Sequence, residues 1–168
     1  MSEKYRVAVI TMSDKGSIGQ RVDESGPLIA EMMEKWGLAS VKDMIVIPDD
    51  FNKIKETLIS LCDDMKVDLI FTTGGTGLSP RDVTPEATMA VADRNVPGIA
   101  EYMRAKSFEI TPKAMLSRAV SVMRRRTLII NLPGSPKAVR ENLEFILPAL
   151  DHGLEIMKGR SGECGKSK

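Results

Sequence analysis

The residues best suited to chemistry lie at positions 72–88: Thr-Thr-Gly-Gly-Thr-Gly-Leu-Ser-Pro-Arg-Asp-Val-Thr-Pro-Glu-Ala-Thr. Gly74, Gly75 and Gly77 permit positive φ angles and carry no Cβ to shield the backbone. Successive N–H groups of such a loop, from Thr73 through Thr76 to Gly77, can turn inward and form a concave anion site. Thr84 reads as a helix N-cap with Pro85 as the first helical residue, so a helix N-terminus adds partial positive charge nearby. Strand, glycine loop and helix start together bind phosphate. Arg81 offers a fork for phosphate oxygens, and Asp82 is a candidate metal ligand. The spacing is neither that of a Walker A loop nor that of the dinucleotide fingerprint. The plain alternative is that the glycines only make a tight turn.

Such a loop needs a strand before it and a sheet around it. Residues 67–72 read as a buried strand that delivers the glycines, and residues 5–12 as a first strand apolar enough to be buried on both faces. Between them, a helix over 25–36 presents Leu28, Ile29, Met32, Met33 and Trp36 on one face and stops at Gly37. Residues 44–47 form the core of a second strand. Pro48-Asp49-Asp50 then turns into a helix with the stripe Ile54, Leu58, Leu61, Cys62 and Met65. After a helix over 85–93, Val96-Pro97-Gly98 breaks the chain, a helix follows over 99–107, and Thr111-Pro112 marks another cap and first turn. Residues 118–123 and 127–131 read as a hairpin around the basic turn Arg124-Arg125-Arg126. Ser135 and Pro136 open a last helix whose face is Val139, Leu143, Ile146 and Leu147, and Pro148 interrupts it. Strand–helix alternation predicts an α/β fold in three layers: a mostly parallel central sheet, helices on both faces, and a small hairpin.

In open sheets of this kind ligands bind at the carboxyl ends of the strands. Those ends carry Ser13 and Asp14, Asp49 and Asp50, residues 73–77, and Asn131, Pro133, Gly134 and Ser135. Carboxylates and glycine turns on one edge fit a phosphate–metal site better than an apolar pocket. Magnesium is held by one or two carboxylates with waters and substrate phosphates completing its shell, a need that Asp49 and Asp82 match. Asp49 or Asp50 can equally serve as the cap of the helix that follows. The candidate substrate-binding set is Ser13, Asp14, Thr73, Gly74, Gly75, Thr76, Gly77, Arg81, Thr84, Asn131, Pro133, Gly134 and Ser135.

The string Gly-Gly-Thr-Gly-x-x-x-Arg-Asp-x-Thr-Pro-Glu-Ala resembles the molybdopterin adenylyltransferases of molybdenum-cofactor biosynthesis. The same domain type stands at the N-terminus of gephyrin, and the resemblance extends over about residues 5–159. It implies that the catalytic, metal-holding aspartates map onto Asp49 and Asp82. It further implies transfer of AMP from Mg-ATP to the terminal phosphate of molybdopterin with release of pyrophosphate, and a homotrimer. Residues 97–123 are the expected interface, through Ile99, Tyr102, Met103, Phe108 and Ile110. A downstream metal-insertion enzyme is a further partner to consider. The alternative is a non-catalytic molybdopterin-binding or scaffolding module, since relatives of this fold vary around the acidic site.

Composition narrows the remaining classes. The 168 residues suit a single domain, 1–168, with 42% hydrophobic and 28% charged residues. A net charge of +1 with few aromatic residues gives no case for nucleic acid. No apolar run reaches membrane-spanning length and residues 1–4 show no signal-peptide core, so a cytoplasmic protein is expected. Cys62 on an apolar helix face and Cys164 in a polar tail, expected to be disordered, suggest neither a metal cluster nor a disulfide framework. His152, with no partner to define a site, is expected to be structural. The arginine turn is expected to be solvated, Lys15 a surface lysine, and the 11 methionines packing residues.

Overall fold

The computed structural model describes residues 4–159; the tail expected to be disordered, with Cys164, lies outside the described residues. The elements in order are β1 (Tyr5–Met12), α1 (Asp14–Ser17), α2 (Ser25–Trp36), β2 (Ala39–Ile47), α3 (Phe51–Asp63), β3 (Leu69–Thr73), α4 (Thr84–Ala90) and β4 (Arg94–Asn95). They continue with α5 (Pro97–Ile110), a 3₁₀ turn η1 (Pro112–Leu116), β5 (Ser121–Arg124), β6 (Thr127–Leu132) and α6 (Pro136–Lys158). One six-stranded sheet runs β2-β1-β3-β6-β5-β4. The β1–β2, β1–β3 and β3–β6 pairs are parallel, whereas β5 is antiparallel to both of its neighbours. The expected hairpin is therefore β5–β6, and it is part of the central sheet rather than an appendage to it.

Alternation along the central strands sorts the core into two layers. Val7, Val9, Leu69, Phe71, Leu128 and Ile130 face α2, α5 and α6; Ala8, Ile10, Ile70 and Ile129 face α3 and α4. Both faces of β1, β3 and β6 are covered, which is why these strands are almost continuously apolar.

Several boundaries differ from expectation for identifiable reasons. The strand β2 starts at Ala39 rather than Met44; it is an edge strand whose first half carries Ser40, Lys42 and Asp43, with Lys42 exposed, so that half reads as polar. Val67 is buried but stands before β3, its N–H bonded to Leu61 O. The loop expected at 13–17 contains one helical turn, α1. Pro97 does not break the chain but opens α5 at its first turn. Nor does Pro148 divide α6, which runs unbroken through it. Pro148 and Glu144, whose carbonyl lies four residues back, are both on the exposed face, where water can take the unpaired carbonyl. The basic turn is not simply solvated either: Arg124 grips Asp63 through Nη2 at 2.6 Å and Nε at 3.1 Å and donates to Val91 O at 3.1 Å.

Candidate active site

The chain crosses from β2 back over β1 to β3, so the direction in which strands are added reverses between β1 and β3. That reversal leaves a crevice beyond the carboxyl ends of the two strands. A cleft of about 500 Å³ opens there. It is lined by Met12 at the end of β1 with Ser13 and Asp14 after it, Asp49 after β2, Thr73 at the end of β3 with Gly74, Gly75 and Asp82 after it, and Gly134 and Ser135 after β6. Four loops distant in sequence thus share one edge because parallel strands end together.

Glycine is required at two points of the loop. Gly74 and Gly75 have φ of +92° and +68°. A Cβ on Gly74 would stand 2.6 Å from Met12 O, and one on Gly75 would stand 2.2 Å from Thr84 Oγ1 and 3.1 Å from Asp49 Oδ1. The loop carbonyls are bound to the protein: Gly75 O accepts from Thr84 N, Thr76 O from Arg118 N, and Gly77 O from Arg118 Nε. A trans peptide sets its N–H opposite its C=O, so the N–H groups of Thr76, Gly77 and Leu78 turn away from these partners.

The acidic groups are interlocked. Asp14 N donates to Asp49 Oδ2 at 3.2 Å, and Asp49 N donates to Asp14 Oδ1 at 3.0 Å. Arg81 clasps Asp14 with both arms of its fork, Nε at 3.0 Å and Nη2 at 2.8 Å. This clasp holds the Asp14 carboxyl below its ordinary range. Asp49 moves the other way: burial raises its pKa, and the negative charges of Asp14 and Asp82 add to the rise. Asp50, not Asp49, caps α3, accepting from Lys53 N at 2.7 Å. The Asp49 carboxylate is thereby free to face the cleft. Asp82 accepts from Ser79 N at 3.2 Å across its own turn.

The remaining candidates divide. Ser13 and Ser135 border the cleft but cap α1 and α6, and Gly134 O accepts from Ser25 Oγ at 2.8 Å. Thr73 also lines the cleft, with its hydroxyl turned to Pro133 O at 2.7 Å. Asn131 is fully buried; its amide donates to Thr72 and Thr88 hydroxyls and accepts from Val120 N, so it ties β6 to β3 and α4. Thr76, Gly77, Pro133 and Asn131 border a neighbouring hollow of about 290 Å³ under α5, η1 and α6. Thr84 does not cap α4, because Val83 occupies that place; its hydroxyl is wholly buried and has no hydrogen-bond partner.

The sequence reading missed residues of the segment between α1 and α2. Arg21, Asp23, Glu24 and Ser25 line the cleft, as does Lys15. Asp23 accepts from Thr11 Oγ1 at 2.7 Å and from Ser25 N and Gly26 N, anchoring the start of α2 beside β1. An Asp just ahead of a helical stripe was the available signal. His152 lies on α6 outside the cleft, and burial pushes the Cys62 thiol up to about 11, as befits a packing residue.

The donor set suits a hard cation. Among the described residues no group of three or more His, Cys, Asp or Glu could cage a metal, but Asp49 and Asp82 flank one glycine loop and lie close enough for Asp82 to raise the Asp49 pKa. Two carboxylates with no thiolate or imidazole fit Mg²⁺, whose shell substrate phosphates and water complete. Gly75 itself leaves no room for a Cβ, because the buried, unpartnered Thr84 hydroxyl packs against it and Asp49 Oδ1 stands beside it, so the carboxylate and the loop backbone are held close together.

The sequence matches the family described as "Probable molybdopterin binding domain" over residues 8–152. The chain belongs to this family. It is 40% identical to a molybdopterin adenylyltransferase of Helicobacter pylori strain J99, covering 94% of this chain and 90% of that one. It is 42% identical to gephyrin of Dictyostelium discoideum over 94% of this chain but only 23% of gephyrin. The crystal structure of the molybdopterin biosynthesis enzyme MoaB from Thermus thermophilus superposes with a TM-score of 0.88 at 46% identity, covering 95% of this chain and 99% of that one.

Proposed function

We propose that this chain is a molybdopterin adenylyltransferase, a nucleotidyltransferase that moves AMP from ATP onto the terminal phosphate of molybdopterin. The observation that carries the reading is that Asp49 and Asp82 line one cleft with Gly74 and Gly75, at the switch between β1 and β3. The family match and the enzymes named at about 40% identity support it.

The nucleophile is the phosphate monoester of molybdopterin, which at neutral pH is largely a dianion because its second pKa is about 6. One of its oxygens forms a bond to the α-phosphorus of ATP while the bond to the pyrophosphate oxygen breaks. No protein base has a proton to remove, consistent with a cleft whose lining holds no histidine. The protein's part is positioning and charge. Backbone N–H groups of the glycine loop hold phosphate oxygens, and Arg81, clasped to Asp14 at the border of the cleft, is the fork that would turn to a phosphate. Asp49 and Asp82 are the residues to hold Mg²⁺, which when bound neutralises charge on the transferring phosphate.

We read the chain as one domain acting in the cytoplasm as a homotrimer, with a downstream metal-insertion enzyme receiving its product. No helix among the described residues is long and apolar enough to cross a membrane. The test is pyrophosphate release from Mg-ATP with molybdopterin present. Stoichiometric release supports the transferase; molybdopterin binding without release assigns the chain to the scaffolding alternative.

A further inference from the structure

The glycine loop and Asp82 are held from outside by one side chain that the sequence does not advertise. Arg118 lies between η1 and β5. Its backbone N–H donates to Thr76 O at 2.9 Å, its Nε to Gly77 O at 2.8 Å and its Nη2 to Asp82 O at 2.7 Å. Its Nη1 pairs with the Glu86 carboxylate in the first turn of α4. One residue therefore fastens the loop at its start, at the metal-holding aspartate and at the helix that follows.

We propose that Arg118 is a positioning residue for the transfer reaction, fixing the Asp82 carboxylate and the loop amides in the geometry that receives Mg-ATP. The proposal rests on the adenylyltransferase reading above. Two physical points carry it. Residues 74–82 lie between β3 and α4 without regular structure, and the bonds inside the turn are short-range: Asp82 N to Ser79 O, Ser79 N to the Asp82 carboxylate, and Arg81 N to Ser79 Oγ. From outside the turn, Arg81 is tied by its side chain to Asp14, but the bond to the Asp82 backbone itself comes from Arg118. The second point is direction. A guanidinium on the carbonyl side of the Gly77 and Asp82 peptides holds the N–H groups of Leu78 and Val83 on the far side, because the two groups of a trans peptide oppose each other. Hydrogen bonds from a charged donor are stronger than neutral ones, and three acceptors in a fork specify a plane as well as a distance. Lysine keeps the charge but not the fork.

The test compares wild type with Arg118→Ala, Arg118→Lys and Glu86→Gln. Hydrogen exchange is measured without ligand, and pyrophosphate release is measured over a magnesium titration. For Arg118→Ala we expect faster exchange confined to residues 74–83 and kcat lowered at least tenfold. We expect the magnesium concentration for half-maximal rate to rise at least tenfold and KM for molybdopterin to change less than threefold. Arg118→Lys should recover only part of the rate, and Glu86→Gln should show the same pattern in smaller measure. Unchanged exchange in residues 74–83, or a rise spread equally over the sheet, overturns the proposal. So does full recovery by Arg118→Lys. Should Arg118→Ala not fold, Arg118→Lys and Glu86→Gln decide by the same exchange and titration. If wild type releases no pyrophosphate, the transferase reading fails on its own, and the exchange measurement still decides whether Arg118 holds the loop.

Discussion

A buried carboxylate set among other carboxylates is costly unless something positive is meant to arrive. Asp14 has Arg81, but Asp49 is partly desolvated and pushed upward by its acidic neighbours. Asp82→Asn keeps the side-chain shape and removes the charge that a metal requires. The expected result is a drop in kcat of at least ~100-fold, the scale of one strong transition-state interaction, with an unaltered thermal melt. Asp49→Asn should behave alike, and the double variant should lose less than the product of the single effects, because the two act as a unit. Wild-type turnover by folded Asp82→Asn would remove the aspartates from the mechanism. Gly75→Val tests the loop itself. Its Cβ would have to occupy the space beside Thr84 Oγ1 and Asp49 Oδ1 at a φ of +68°. Nucleotide affinity by calorimetry should fall more than tenfold, about 1.4 kcal/mol or greater; unchanged affinity would mean that the glycines only build the turn.

At the scale of elements, helices announce themselves when an apolar stripe is bounded by a stop, as in α2 with Gly37 in the left-handed region at its end. Proline at position 148 misleads because it is judged by propensity, whereas α6 is held by Val139, Leu143, Ile146, Leu150 and Leu154 along one buried face. Pro148 is thus a local defect in an otherwise sound helix. Replacing it with Ala should raise stability in a denaturant titration by roughly 1–3 kcal/mol, since the missing N–H and the ring clash both disappear. No gain would mean that the proline is compensated by the unfolded chain. The same distinction explains what was legible in the site. Residues 73–75, Asp49 and Asp82 could be assigned to one sheet edge because turn chemistry is local and parallel strands end together. Thr84 and Asn131 could not be placed, because which way a polar side chain turns depends on the layer packed against it. Arg118 was invisible for a related reason: the groups its side chain holds lie 32 to 41 residues away.

At the scale of the molecule, part of the apolar surface left over by the fold is grouped on two consecutive elements, α5 and η1. The helix α5 buries only Ala100 and Met103 against its own sheet, with Ile99 packed beside them. Tyr102, Phe108 and Ile110 on α5, and Met115 and Leu116 on η1, are each about half exposed or more. Of the interface residues expected from sequence, Ile99 and Met103 therefore serve the domain's own core, and the other three are available to a second subunit. Large apolar side chains grouped on consecutive elements mark association surfaces. The homotrimer we propose should give light-scattering masses three times that of the chain at micromolar concentration, and Phe108→Glu with Ile110→Glu should reduce the mass to one chain without lowering the melt. A monomeric wild type would rule the trimer out. Assembly should also reach the active site, because η1 ends two residues before Arg118. A partner packed on Met115 and Leu116 would steady the segment from which Arg118 holds Asp82. The charge-substituted monomer should accordingly exchange faster at residues 74–83 than the trimer does, and its kcat should fall while its affinity for molybdopterin holds. Equal exchange in the two states would show that the loop is braced by its own subunit alone.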